Sequence, residues 1–173
     1  CSVGMASTVV DCSVTPYRVV RQGAILLDME KPTLYILCGL PFAGKTYLAN
    51  IIAEHAGGKL IAFDQLWLEL ERDQRLPTPV KGSEGWRLTR NTAKERIAKA
   101  LRNNQDIIYD DINVRFEHRE ELRQLAKQCG GVSKVIYVNT SEEIRAGRMK
   151  QNLVKKQRHD VEPDNLESTL AQF

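Results

Sequence analysis

The sequence predicts an α/β domain with a parallel sheet between two helical layers, preceded by a short N-terminal β-hairpin. Three observations predict it. From Thr33 onward, short apolar and β-branched runs alternate with longer stretches whose apolar residues recur at helical spacing. The first three of these runs end at the glycine loop, Asp64 and Asp110, each followed by a helical stretch long enough for a parallel crossover. Residues 1–30 show no helical pattern at all.

Taken in order, Ser7–Cys12 and Tyr17–Arg21 form two short strands joined around Thr15-Pro16. A hairpin of that size is marginal in water by itself. Asp28–Pro32 is a linker, with Pro32 imposing an extended entry to the main domain, residues 33–173. Thr33–Cys38 is the first strand of that domain, an apolar run suited to burial on both faces. Leu48, Ile51, Ile52, His55 and Ala56 then follow at helical spacing, and Gly57-Gly58 closes the helix. Lys59–Phe63 is a second strand ending at Asp64, with a short helix around Leu66, Trp67 and Leu70. The Leu76–Gly82 segment, with Pro77 and Pro79, is a loop. Trp86, Arg90, Ala93, Ile97 and Leu101 mark a long amphipathic helix. Asp106–Asp110 is a third strand, and Phe116, Leu122, Leu125, Ala126 and Cys129 mark a further helix closed by Gly130-Gly131. Val132–Val138 is a fourth strand, after which Ser141 caps a helix opening on Glu142-Glu143.

Between the first strand and its helix lies Gly39-Leu40-Pro41-Phe42-Ala43-Gly44-Lys45-Thr46, which matches G-x-x-x-x-G-K-[ST], the Walker A phosphate-binding loop. The glycines let main-chain N–H groups turn inward around phosphate oxygens. The helix that begins there adds its unpaired N–H groups and its positive dipole end, with Tyr47 inside the first turn. Lys45 is expected to neutralise the β- and γ-phosphates of ATP, and Thr46 to place its hydroxyl on Mg²⁺. With this loop, the predicted fold is a three-layer αβα P-loop NTPase.

Ligands of such sheets bind beyond the carboxyl ends of the strands. The third strand ends there in Asp110-Asp111, with Asn113 close behind. An aspartate closing an apolar run is the Walker B arrangement, a carboxylate for Mg²⁺. Asp110 has the better register, and Asp111 is the close alternative. Asp64 closes the second strand, where it could orient an acceptor hydroxyl and take its proton, or cap the following helix, or both. Arg145, Arg148, Lys150, Lys155, Lys156, Arg158 and His159 form a basic stretch with no acid from Ile144 through His159. Such a run is either a solvated helix face or a source of positive charge for a migrating phosphoryl group. Its place after the fourth strand favours the latter for Arg148, then for Arg145 and Arg158. Arg115 and Arg119 follow Asp110-Asp111 and face either the acceptor or solvent.

Composition narrows the classes further. The chain has 173 residues, 42% hydrophobic and 27% charged, the balance of a globular domain. No run spans a bilayer, and the N-terminus lacks the basic and apolar regions of a signal peptide, so no membrane partner is expected. Cys1, Cys12, Cys38 and Cys129 lack the spacing of a zinc knuckle or redox pair, which fits buried thiols in a reducing cytoplasm. A net charge of +3 is too small to indicate nucleic acid. No Asn-Lys-x-Asp guanine-reading sequence is present, which argues against a GTPase switch.

Residues 33–173 resemble the P-loop kinase group that includes AAA_33 domains, polynucleotide 5′-hydroxyl kinases, zeta-toxin-like kinases and chloramphenicol phosphotransferase. The matching pieces are Gly39–Thr46, Asp64, Ile107–Asn113, Arg119 at the head of an Arg-Glu-Glu-Leu helix, and Arg145-x-x-Arg148. The resemblance implies that Asp64 activates the acceptor hydroxyl and that Arg148, on a lid, stabilises the transferred phosphoryl group. Polynucleotide kinases of this type place an arginine three residues after that aspartate; here Trp67 stands there, which argues against a nucleic-acid 5′ end as substrate. The group also continues into another strand, so a C-terminally truncated domain is expected. Gly4–Asp11 and Arg21–Ile25 are similar to the closing hairpin of threonylcarbamoyl-adenylate synthases (YrdC-like domains), whose nucleotide-binding residues are absent here. The chain starts with Cys1, which suits a piece of a longer fusion, with Met5 as the alternative start.

Together these readings predict a kinase that moves the γ-phosphoryl group of ATP, with Mg²⁺, to a hydroxyl of an unidentified small molecule or nucleotide. The alternative is an ATP-binding module without a transfer reaction, or a fragment of a fused tRNA-modifying enzyme.

Overall fold

The computed structural model describes residues 9–11, 13, 18–21, 31–76, 83–155 and 169. The chain divides into two compact units, Cys1–Lys31 and Pro32–Phe173. In the first, β1 (Val9–Asp11) pairs antiparallel with β2 (Arg18–Arg21), with a register shift between Val9 and Val10. The turn expected at Thr15-Pro16 lies outside the described residues, as does the linker from Asp28 to Glu30.

The second unit runs β3 (Thr33–Cys38), α1 (Lys45–Ala56), β4 (Lys59–Ala62), α2 (Phe63–Arg72), α3 (Ser83–Arg102), β5 (Ile107–Asp110), α4 (Phe116–Gln128), β6 (Val132–Tyr137) and α5 (Glu142–Lys155). Its sheet is parallel throughout, in the order β4-β5-β3-β6. β3 and β5 are central, which is why both are near-continuous apolar runs: every residue of β5 is buried. On one face Leu34, Ile36, Ile61, Ile107 and Tyr109 pack with Leu66 and Leu70 of α2, Ala93 and Ile97 of α3, and Leu122 and Ala126 of α4. On the other, Leu37 and Ile108 pack with Ala49 of α1. The result is the three-layer α/β architecture expected, with the separate hairpin.

The second strand ends earlier than its composition suggests. β4 pairs with β5 as far as Ala62↔Asp110, where β5 itself stops, so Phe63 has no ladder partner. Phe63 instead opens α2 and buries its ring, and Asp64 becomes a first-turn residue rather than the cap. α1 closes on Gly57 in the left-handed conformation, φ +63°. β6 lies at the sheet edge, where Val132, Val135 and Tyr137 are exposed, and no fifth strand pairs with it among the described residues. The Pro77–Gly82 part of the expected loop lies outside the described residues.

Candidate phosphate-transfer site

The loop from Gly39 to Gly44 leaves β3 at its carboxyl end and turns into α1. Its path requires left-handed backbone at Phe42 (φ +62°) and Gly44 (φ +105°). At Gly39 (φ +152°) a Cβ would stand 2.7 Å from the carbonyl oxygen of Val138. Ala43 N–H donates to Leu40 O at 3.2 Å, closing the turn. Gly44 caps α1 without a side-chain hydrogen bond, and the first turn of α1 carries no acid. The positive end of the helix dipole thus meets no acidic side chain from its own first turn, a setting in which an anion binds. Lys45 is buried and donates Nζ to the carbonyls of Gly39 (2.8 Å) and Leu40 (2.9 Å), so its ammonium lies over the loop. Thr46 follows at the next helical position, half-buried, while Tyr47 is 75% exposed.

Two neighbouring segments hold the loop. After β5, Gly39 N–H donates to Ile112 O at 3.1 Å, and Asn113 Nδ2 donates to Leu37 O at 2.8 Å. Asn113 is buried with φ +46°, a conformation that asparagine tolerates better than most residues. The Cys38 thiol donates to Asn113 O at 3.3 Å, and burial raises its pKa despite the nearby Arg119 and Lys45 charges. Arg119, read from sequence as facing acceptor or solvent, donates Nη1 to the carbonyls of Asn113 (2.9 Å) and Val114. After β6, Val138 N–H donates to Cys38 O, Thr140 Oγ1 donates to Ala43 O at 2.7 Å, and Arg148 Nη1 donates to Phe42 O at 2.9 Å.

The register separates Asp110 from Asp111. Asp110 pairs with Leu37 in β3 and Ala62 in β4, so it sits in the sheet rows that include Leu37, on the α1 face. Asp111 turns into a different network. Its Oδ2 accepts from the Tyr109 hydroxyl at 3.2 Å and pairs with Arg90 Nε at 3.7 Å, while its Oδ1 accepts from Ile112 N–H at 2.7 Å. Burial, with the adjacent Asp111 charge, pushes the Tyr109 pKa far up, which keeps that hydroxyl a donor. Arg90 Nη1 also donates to His118 Nε2 at 3.0 Å; burial and the Arg90 charge lower the His118 pKa and favour the neutral acceptor. This Arg90–Asp111–His118 network has no signal in sequence spacing, because its members come from α3, the β5 exit and α4.

Asp64 lies in the first turn of α2, exposed, at the carboxyl end of β4. β5 lies between β4 and β3, so the two strands whose ends carry Asp64 and the phosphate loop are two strand spacings apart, about 10 Å. Arg145 is buried, and its Nε has no hydrogen-bond partner among the described residues. Arg148 lies three residues on, on the same helical face. Arg115 is exposed at the start of α4, and Arg158 lies outside the described residues. No group of three or more His, Cys, Asp or Glu that could hold a metal exists among the described residues. Thr46 and Asp110 are instead a sparse set of hard oxygen donors, which suits Mg²⁺ completed by water and phosphate oxygens.

Comparison with known proteins agrees with this fold. A family model for an AAA domain, AAA_33, matches residues 34–173. Among solved structures, the chain is similar to one from the Pnkp1/Rnl/Hen1 RNA repair complex at 15% identity and a TM-score of 0.67, covering 84% of this chain and 45% of that one. It is also similar to a gluconokinase from Sinorhizobium meliloti 1021, at 18% identity and TM-score 0.54, covering 83% of this chain and 76% of that one. The Mycobacterium tuberculosis APS kinase CysC, in complex with AMPPNP and APS, is similar at 16% identity and TM-score 0.58, with 75% of each chain covered. This chain thus spans less than half of the RNA-repair chain and about three quarters of the two kinases. No curated protein matches.

Proposed function

Because the chain belongs to the AAA_33 family of AAA domains, we propose that it is an ATP-dependent phosphotransferase acting on a hydroxyl of a small molecule or nucleotide. One observation carries the reading: a glycine-bent loop with a buried lysine, and two acidic residues, Asp110 and Asp64, at the carboxyl ends of the next two strands. In a site that only held nucleotide, Asp64 would serve just the dipole of α2, whose first turn it occupies.

In the proposed reaction the loop amides and Lys45 bind the β- and γ-phosphates. Thr46 and Asp110 would hold Mg²⁺, which, when bound, neutralises charge on the phosphate oxygens. Asp64 accepts the proton of the acceptor hydroxyl as its oxygen bonds to the γ-phosphorus. The bond from that phosphorus to the bridging oxygen breaks, and ADP leaves with the electron pair. Arg148, bonded to the loop at Phe42 O, turns its guanidinium to the migrating phosphoryl group in this scheme, and Arg145, one turn earlier on α5, adds positive charge. Positioning and fixed charge supply most of the rate in such transfers. We assign the chemistry to a cytoplasmic setting; among the described residues no helix is long and apolar enough to cross a membrane.

The test is ATP consumption by the purified chain against a panel of hydroxyl compounds, with and without RNA. Consumption that requires an acceptor and is lost in Lys45→Ala supports the proposal. Asp64→Asn is expected to slow transfer by roughly 100-fold or more while ATP still binds. Tight ATP binding without turnover in any mixture would favour a non-catalytic module instead. The N-terminal likeness to a threonylcarbamoyl-adenylate synthase hairpin assigns no step in this scheme.

A further inference from the structure

We propose that the acceptor phosphorylated here carries a flat heteroaromatic ring, as a nucleoside does, and that the ring packs on Trp86 of the Trp86–Trp67 pair beside Asp64. The inference rests on the kinase reading above and names its substrate class.

Phe63 is buried and Asp64 exposed, so these consecutive side chains leave α2 in different directions, and the link from the aromatic cluster to Asp64 runs through Trp67. Phe63 is buried and stacks on Trp86 with centroids 4.9 Å apart and planes 18° apart. Trp67 follows Asp64 by one helical turn, and its ring lies 5.7 Å from Trp86 at 52°. Phe63 therefore supports the pair from beneath, which fixes the indole of Trp86 in place. Yet Trp86 is 40% exposed, and Leu68, four residues past Asp64, is 46% exposed. Trp67 is itself half-buried against the core, so the surface offered to a ligand is that of Trp86, braced by Phe63 on one side.

Charge around the pair selects the ligand. Trp86 shares its stripe of α3 with Arg90, whose guanidinium is engaged by Asp111 and His118. Arg87 lies on another face of α3, lining a cavity of about 250 Å³ with Arg75, Glu84 and Asn91. The position one turn after Asp64 holds Trp67 and no cation. An acidic tail on the acceptor would find apolar carbon there, while a planar ring finds stacking surface. Arg90 also ties this stripe to the β5 exit, which places the platform on the same rim as the phosphate loop.

The experiment compares nucleosides with ribose, so that only the ring differs. With the ATP site filled by a non-hydrolysable ATP analogue and Mg²⁺, adenosine, guanosine, cytidine and uridine are titrated while tryptophan fluorescence is followed. At least one nucleoside should quench saturably and ribose should not. Trp86→Ala should weaken that nucleoside by roughly 5- to 150-fold, the range of a lost base–aromatic stack. Trp86→Phe should recover most of it and also serves if the alanine variant fails to fold. In the transfer assay, KM for the nucleoside should rise in Trp86→Ala while KM for ATP stays. Phosphorylation of ribose or other polyols, with no nucleoside binding, overturns this inference and leaves the kinase reading standing. Saturable nucleoside binding with no transfer overturns the kinase reading and, with it, the claim that the stacked ring belongs to an acceptor. Absence of quenching by all four nucleosides also overturns it.

Discussion

The side-chain amide of Asn113 donates to the main-chain carbonyl of Leu37 across 2.8 Å, joining the exit of β5 to the last turn of chain before the phosphate loop. This bond sets the spacing between Asp110 and the loop, because Leu37 and Asp110 are also ladder partners. Asn113→Ala leaves the Leu37 carbonyl buried without that donor and puts alanine at φ +46°. The expected cost is about 1–3 kcal/mol of stability, read by chemical denaturation. Asn113→Gly should relieve the backbone part of the loss and retain the rest.

Gly39→Ala should be the most damaging small change in the loop. The added Cβ would lie 2.7 Å from Val138 O, which belongs to backbone and cannot swing aside. The expected loss is about 1–3 kcal/mol, with ATP affinity lost as well. Thermal unfolding together with nucleotide titration checks both.

Arg145 separates binding from folding. Its Nε is buried with no hydrogen-bond partner among the described residues, an arrangement that costs about 1–3 kcal/mol. Arg145→Met keeps much of the side chain's length and removes that polar atom. The melting temperature should hold or rise, while phosphoryl transfer falls at least tenfold if the guanidinium serves the phosphates. A melting temperature that drops sharply would instead mark Arg145 as a structural cation.

His118 gives a pH dependence with a definite sign. Its folded pKa lies below its ordinary value, chiefly through burial and then through the Arg90 charge. The unfolded chain therefore holds more protons at this site, and acid favours unfolding as pH falls through about 6.5 toward the folded value. The contribution is fully present above that window. His118→Gln keeps an acceptor for Arg90 and removes the titration. Between about pH 7.5 and about pH 5.5, its melting temperature should fall less than that of the wild type.

The fold was largely legible because its determinants are local. The Gly39–Thr46 spacing, the apolar runs of β3 and β5, and the Gly57 and Ser141 helix signals each act within a few residues. The preference for Asp110 over Asp111 rested on local register alone; the sheet row of Asp110 and the Arg90 contact of Asp111, which set the two apart, come from other elements. The β4 boundary failed for a related reason: Phe63 is a good strand residue, but its strand partner ends at Asp110. For Arg119 the spacing from Asp111 left acceptor and solvent both open, because it says nothing of the carbonyls of Asn113 and Val114 that turn toward its guanidinium. The Phe63–Trp67–Trp86 cluster joins α2 to α3 across the segment that includes Pro77 and Pro79, so no periodicity within either helix reports it.

The most direct measurement of the central claim is calorimetric titration of the folded chain with ATP and magnesium, beside Lys45→Ala. Saturable one-site binding by the wild type, weakened at least tenfold in the variant, is the predicted result, since Lys45 lies over the loop within hydrogen-bond reach of Gly39 and Leu40. A folded wild-type chain that takes up no nucleoside triphosphate, or a variant that binds equally well, would contradict the assignment of this loop to a triphosphate.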